Sequence, residues 1–157
     1  MTELQINLLG PPEILWENKH LNINRRTPRT LLYFLASQSN LIGREKLLST
    51  FWQDSSPPIA RRRLRVALSR IRTEIPVENF ITIHNDLVGL NPSKLSVDLR
   101  SFGKYQALIG NTPWSVPSNQ LLPESIFQSM LRAINLWRGT QFLEGTELPN
   151  YCTLDDW

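Results

Sequence analysis

Residues 57–75 read PPIARRRLRVALSRIRTEI, with arginines at positions 61, 62, 63, 65, 70 and 72. Apolar residues are threaded between them at helical spacing. Wound at about 100° per residue, Ala60, Leu64, Ala67, Leu68, Ile71 and Ile75 fall on one side and form a core face. The opposite face centres on Arg62, Val66, Ser69 and Thr73. Arg63 and Arg70 line one rim of it, and Arg61, Arg65 and Arg72 line the other. No acid stands between Asp54 and Glu74. A solvated charged face usually mixes signs, whereas like charges at helical i,i+4 spacing repel by a few tenths of a kcal/mol per pair. The pattern therefore calls for an anion from outside the chain.

Charge along the chain points the same way. Residues 25–72 hold eleven Lys and Arg against two acids, Glu45 and Asp54, a net of +9. Residues 1–24 carry −2 and residues 73–157 carry −4. A basic middle between acidic flanks implies a localised polyanion contact. A major groove about 12 Å wide admits a helix and flanks it with phosphates. In that setting the rim arginines meet phosphate, Val66 suits a thymine methyl and arginine suits guanine. A membrane surface fits less well, because the apolar face is already committed to a core. The candidate DNA-binding residues are Arg61, Arg62, Arg63, Arg65, Val66, Ser69, Arg70 and Thr73.

Other function classes find little support. The chain has 157 residues, 41% of them hydrophobic and 20% charged, enough for one domain or two small ones. No apolar run approaches the ~20 residues of a membrane span, and the first residues carry no basic, apolar signal pattern. A cytoplasmic location is expected. Cys152 is alone, which excludes an internal disulfide and a multi-cysteine zinc site. His20 and His84 are far apart and without paired carboxylates, so no metal or cofactor is expected, and His20 reads as a strand-surface residue. Ser37, Ser39 and Ser55 read as turn or cap serines. Gly110 and Gly139 are isolated and make no phosphate loop. Trp52 and Trp114 read as packing residues, and Asp155 with Asp156 as a solvated pair. No constellation of acid, base and nucleophile is visible, so no enzymatic activity is expected.

A coarse pass along the chain gives three strands at residues 4–8, 13–16 and 20–23. Thr27 and Pro28 supply a cap and a first-turn proline for a helix carrying Leu31, Leu32, Leu35 and Ala36. A second helix runs from Arg44 to Phe51 or Trp52. Residues 53–58 form a loop, and Ser56 with Pro57 starts the arginine helix, which Pro76 stops. Residues 80–84 and 87–90 read as a hairpin about Asn85 and Asp86. Beyond residues 91–93 the pattern turns helical, with one helix at 97–109 and another at 124–138. A polar connection at 110–123 joins them. The second carries an apolar stripe of Ile126, Phe127, Met130, Leu131, Ile134 and Trp137, with Gly139 as its C-cap.

Helix, short connection, helix, loop, basic helix and hairpin describe a winged helix-turn-helix. The stretches LLGPPEILWENKHLNI, RTLLYFLAS, REKLLSTFWQDSSPP and ARRRLRVALSRIR together resemble the OmpR/PhoB-type DNA-binding domain, and within it the Streptomyces antibiotic regulatory protein type. VDLRSF and INLWRG resemble the bacterial transcriptional activator domain that follows it there. The resemblance spans about residues 4–157 and rests on the ordered set of motifs. It implies an α+β winged helix-turn-helix domain at 1–92, with leading antiparallel strands and a C-terminal hairpin. A partial all-α, TPR-like segment would follow at 93–157, within a longer regulator. It implies a transcriptional activator whose helix at 56–75 enters the major groove of double-stranded DNA. Arg62, Arg63, Arg65 and Arg70 would contact phosphates or bases. It further implies that loop 53–58 can touch RNA polymerase and that a homodimer forms on DNA. Relatives carry a Gly-x-Gly-Tyr-like wing with a nearby arginine, where this chain has HNDLVG at 84–89, without arginine. The alternative reading is a helical protein–protein interaction module on a winged-helix scaffold that does not bind DNA.

Overall fold

The computed structural model describes residues 4–110 and 121–146, and within them the chain is a mixed α+β fold of five helices and two sheets. Its elements are β1 (Leu4–Asn7), β2 (Glu13–Trp16), β3 (Lys19–Leu21), α1 (Arg26–Ser37), β4 (Ile42–Gly43), α2 (Arg44–Trp52) and α3 (Pro57–Glu74). Then follow β5 (Ile81–His84), β6 (Leu87–Leu90), β7 (Leu95–Val97), α4 (Asp98–Gly110) and α5 (Glu124–Asn135). No helix among the described residues is long and apolar enough to cross a membrane.

The first sheet has the order β3-β2-β1-β7. Strand β1 alternates inward Leu4 and Ile6 with half-buried Gln5 and Asn7, which is the period of a sheet with one face on a core. It pairs antiparallel with β2, Leu4 opposite Trp16. Glu17 and Asn18 turn β2 into β3 with φ of 50° and 61°, the left-handed geometry that matches the twist of a two-residue hairpin. The third strand ends at Leu21 instead of Ile23, which is buried in the core.

Helices α1, α2 and α3 pack around Leu31, Leu32, Phe34, Leu47, Phe51, Leu64 and Leu68. Phe34 and Phe51 meet edge-on at 5.5 Å between ring centres, a favoured aromatic geometry. Trp52 is buried, as a packing residue should be. Helix α1 starts at Arg26, with Arg25 as its cap and no side-chain cap bond. Thr27 and Pro28 therefore lie inside its first turn, where a proline N–H is not needed. Helix α3 starts at Pro57 with Ser56 as N-cap, though the serine hydroxyl makes no cap bond. The connection between α2 and α3 thus spans residues 53–56, and Pro58 belongs to the helix.

The second sheet has the order β4-β6-β5. The hairpin β5–β6 turns at Asn85 (φ 53°), with His84 opposite Leu87. Two-residue β4, absent from the sequence reading, adds a third strand beside β6. Gly89 lets Leu41 close over it: a Cβ there would stand 2.5 Å from Leu41 Cδ2 and 3.3 Å from Leu41 Cα, so the leucine side chain would have to move.

The segment from residue 93 is not all-α as expected: it opens with strand β7, which pairs in parallel with β1, Leu4 opposite Leu95, because the edge of β1 is left open by β2 on its other side. The last residue of β7 leads directly into α4 at Asp98. The Asp98 carboxylate, 7% exposed, accepts the Leu8 N–H at 2.8 Å, the Leu9 N–H at 2.9 Å and the Leu99 N–H at 2.7 Å. Burial pushes its pKa up, opposed by those three N–H groups and by the Arg138 guanidinium. Arg100 reaches from the same turn to donate to the Gln38 carbonyl at the end of α1, 3.1 Å away.

Helix α5 packs against α4 and stops at Asn135, short of residue 138. Gly139 is not its cap. The chain instead turns back onto the β1–β2 connection, where the Arg138, Leu143 and Glu144 N–H groups donate to the Leu9, Leu8 and Gly10 carbonyls at 3.0 Å each. Those tertiary bonds compete with helix continuation. The connection at 111–120 with Trp114, and Cys152, Asp155 and Asp156, lie outside the described residues.

Candidate nucleic-acid interface

Helix α3 holds the candidate site because its two faces are chemically distinct. Ala60, Leu64, Ala67, Leu68 and Ile71 are buried along it, and Ile75 is buried at its cap. That face seats it on α1 and α2 and leaves the arginines outward. Arg61, Arg62, Arg63, Arg65, Val66, Ser69 and Thr73 are exposed and Arg70 is half-buried.

Among the described residues few carboxylates approach this face; Asp54 in the α2–α3 connection and Glu45 on α2 do. Arg61 faces α2 and pairs with Glu45 at 3.4 Å. Both side chains are largely exposed, so the pair contributes little. Arg63 donates to the Ser55 hydroxyl at 2.9 Å, which ties the α2–α3 connection to the helix. Among the described residues no carboxylate lies within ion-pair distance of Arg62, Arg63, Arg65, Arg70 or Arg72. Thr73 donates its hydroxyl to the Ser69 carbonyl at 3.0 Å.

Arg62, Arg63, Val66 and Arg70 line one groove of ≈ 750 Å³. Its far wall is the start of α1, including Arg25 and Arg26, and its end is the α2–α3 connection. Arg61 and Arg65 lie round the helix, where they border a smaller recess of ≈ 420 Å³ with Arg44 and Asp86. The candidate residues therefore divide between two sides of α3. Ser69 and Thr73 border neither recess.

The sequence reading missed Arg25, Arg26 and Ile59 at this groove. The two arginines were counted in the basic block, but nothing local places the start of α1 across from α3. Ile59 was legible in principle: it stands seven residues before Val66, hence on the same helix face. The hairpin tip carries His84, Asn85 and Asp86, with Ile83 and Leu87 partly exposed beside them. His20 lies exposed on β3, with Nδ1 3.6 Å from a Glu13 carboxylate oxygen. No group of three potential metal ligands occurs among the described residues.

No family model matches the chain, and no curated protein matches it. Among solved structures, Mycobacterium tuberculosis EmbR in complex with a low-affinity phosphopeptide is similar to it, with a TM-score of 0.66 at 17% sequence identity. The match covers 91% of this chain and 38% of that one. At this identity the likeness is one of fold: the mixed α+β arrangement of helices and two sheets is shared with EmbR.

Proposed function

We propose that the chain is a sequence-specific DNA-binding transcriptional regulator, an activator, that docks α3 in the major groove of duplex DNA. The observation that carries this reading is the exposed arginine row of α3, beside a groove that Arg25 and Arg26 close from the other side. Exposed guanidinium groups on one helix face suit phosphate, which Arg binds in a fork geometry. The fold shared with EmbR is compatible with it. In this reading residues 1–92 are a winged helix-turn-helix unit, with α3 as recognition helix and β5–β6 as wing. Residues 93–157 are a TPR-like helical unit, joined to the first through β7 and Asp98. The connection after α2 faces RNA polymerase, and two copies share an operator.

The test is selection from a random duplex library by the full chain at moderate salt. Enrichment of one motif, bound at least ~10³-fold more tightly than random duplex, is the expected result. Recovery of random sequence after repeated rounds contradicts site-specific regulation.

A second reading rests on α5. Phe127, Leu131 and Ile134 are exposed along it, while Ser129 and Ala133 form its buried side. A protein-interaction role for the helical unit follows from that apolar face and is compatible with DNA binding by the first unit.

A further inference from the structure

Two aliphatic side chains stand on the outward face of α3. Ile59 is 50% exposed and Val66 46% exposed. They are seven residues apart, so they lie on one ridge, separated by about 10.5 Å along the axis. Thr73 continues the ridge another seven residues on. Its hydroxyl donates to the Ser69 carbonyl at 3.0 Å, which leaves the hydroxyl oxygen only as an acceptor. Arg62 and Arg70 flank Val66 by about 40° on either side. Ile59 and Val66 both border the arginine-lined groove. β-Branched residues are poorer helix formers than Lys, Glu or Gln, and at these positions they recover little from packing within the chain.

We propose that Ile59 and Val66 form an apolar ridge that reads the 5-methyl groups of thymines in the major groove. This rests on the DNA-binding reading above. Of the four bases only thymine offers an apolar group on its major-groove edge. The flanking guanidiniums restrict the partner to a polyanion, and a duplex supplies phosphates and methyls together. The stiff χ1 of Ile and Val keeps the ordering cost low. A separation of about 10.5 Å corresponds to roughly three base-pair steps of about 3.4 Å. The site thus contains thymines about three pairs apart, met by Ile59 and Val66.

The test uses the full chain and a duplex enriched from a random library. Each thymine is replaced singly by deoxyuridine, which removes one methyl and keeps every hydrogen-bonding group. Binding should weaken about fourfold, the equivalent of ~0.8 kcal/mol per buried carbon, at two positions about three pairs apart. The substitution Val66→Ala should abolish one penalty and Ile59→Ala the other. Both side chains are exposed, and an unchanged thermal midpoint confirms an intact fold. Uniform indifference to deoxyuridine, or penalties that persist in both alanine variants, overturns the methyl-reading ridge. Specific, salt-dependent binding that ignores methyls overturns this inference alone. Failure to bind any duplex overturns the DNA-binding reading and this inference with it.

Discussion

Arg63 and Arg70 lie on one side of α3 and border the same groove. If each pairs with a guanine, Arg63→Ala and Arg70→Ala should each cost ~1–3 kcal/mol and relax preference at one base position. Arg62, nearer the start of the helix, would then hold phosphate, and Arg62→Ala should weaken every duplex by a similar factor. Binding isotherms on selected and random duplexes separate the two roles: equal losses on both duplexes for Arg63→Ala and Arg70→Ala would refute base reading by these side chains. A different residue, Asp98, governs how the chain holds together. Replacing it with Ala leaves the buried Leu8 and Leu9 N–H groups without their acceptor. Since an orphaned buried donor costs ~1–3 kcal/mol, Asp98→Ala should lower unfolding stability by about 3 kcal/mol in urea titration. A change under 1 kcal/mol would mean that water or backbone shifts satisfy those groups. The arginines were legible in the sequence because composition alone exposes them. Asp98 was not, since its partners lie some 90 residues away and an aspartate at a helix start looks like any capping residue.

Among the elements, α3 was the most legible because its 3.6-residue period separates six apolar positions from the arginines without any tertiary information. Helix α2 and the β5–β6 hairpin were legible for similar reasons of period and turn chemistry. Strands β4 and β7 were not. Two or three residues carry no measurable period, and each is a strand only because β6 or β1 offers it an edge. The end of α5 was misread because Leu136, Trp137 and Arg138 continue a helical pattern, while the Leu9 carbonyl takes the Arg138 N–H. The hairpin departs from a basic wing, with an acid and no Lys or Arg in residues 81–90. An acid near phosphate repels it, so Asp86→Asn should strengthen duplex binding slightly, by no more than about threefold at low salt. A loss of tenfold or more in a filter-binding titration would show that Asp86 makes a favourable contact that this account lacks.

At the scale of the molecule, the helical part is held to the first sheet at the β1–β2 connection. Gly10 has φ of 109°, and a Cβ there would stand 2.6 Å from the Gly139 backbone nitrogen. Gly10→Ala should therefore cost about 2 kcal/mol or more and remove hydrogen-exchange protection from the Arg138 amide. Retained protection would mean that the two segments separate little. If α3 is a recognition helix it reads only a few base pairs, too few to select a promoter, so two copies should occupy one operator. Sedimentation on a selected duplex should give two chains per site, and a tight, specific one-to-one complex would contradict this. If the arginine face of α3 neutralises DNA phosphates, binding must release counterions. Each phosphate neutralised contributes about 0.9 to the slope of log K against log salt. Affinity for duplex DNA should fall at least ~tenfold between ~50 and ~200 mM salt, and Arg62→Ala should reduce the slope by about one. A nearly flat dependence on salt would contradict a groove-docked α3.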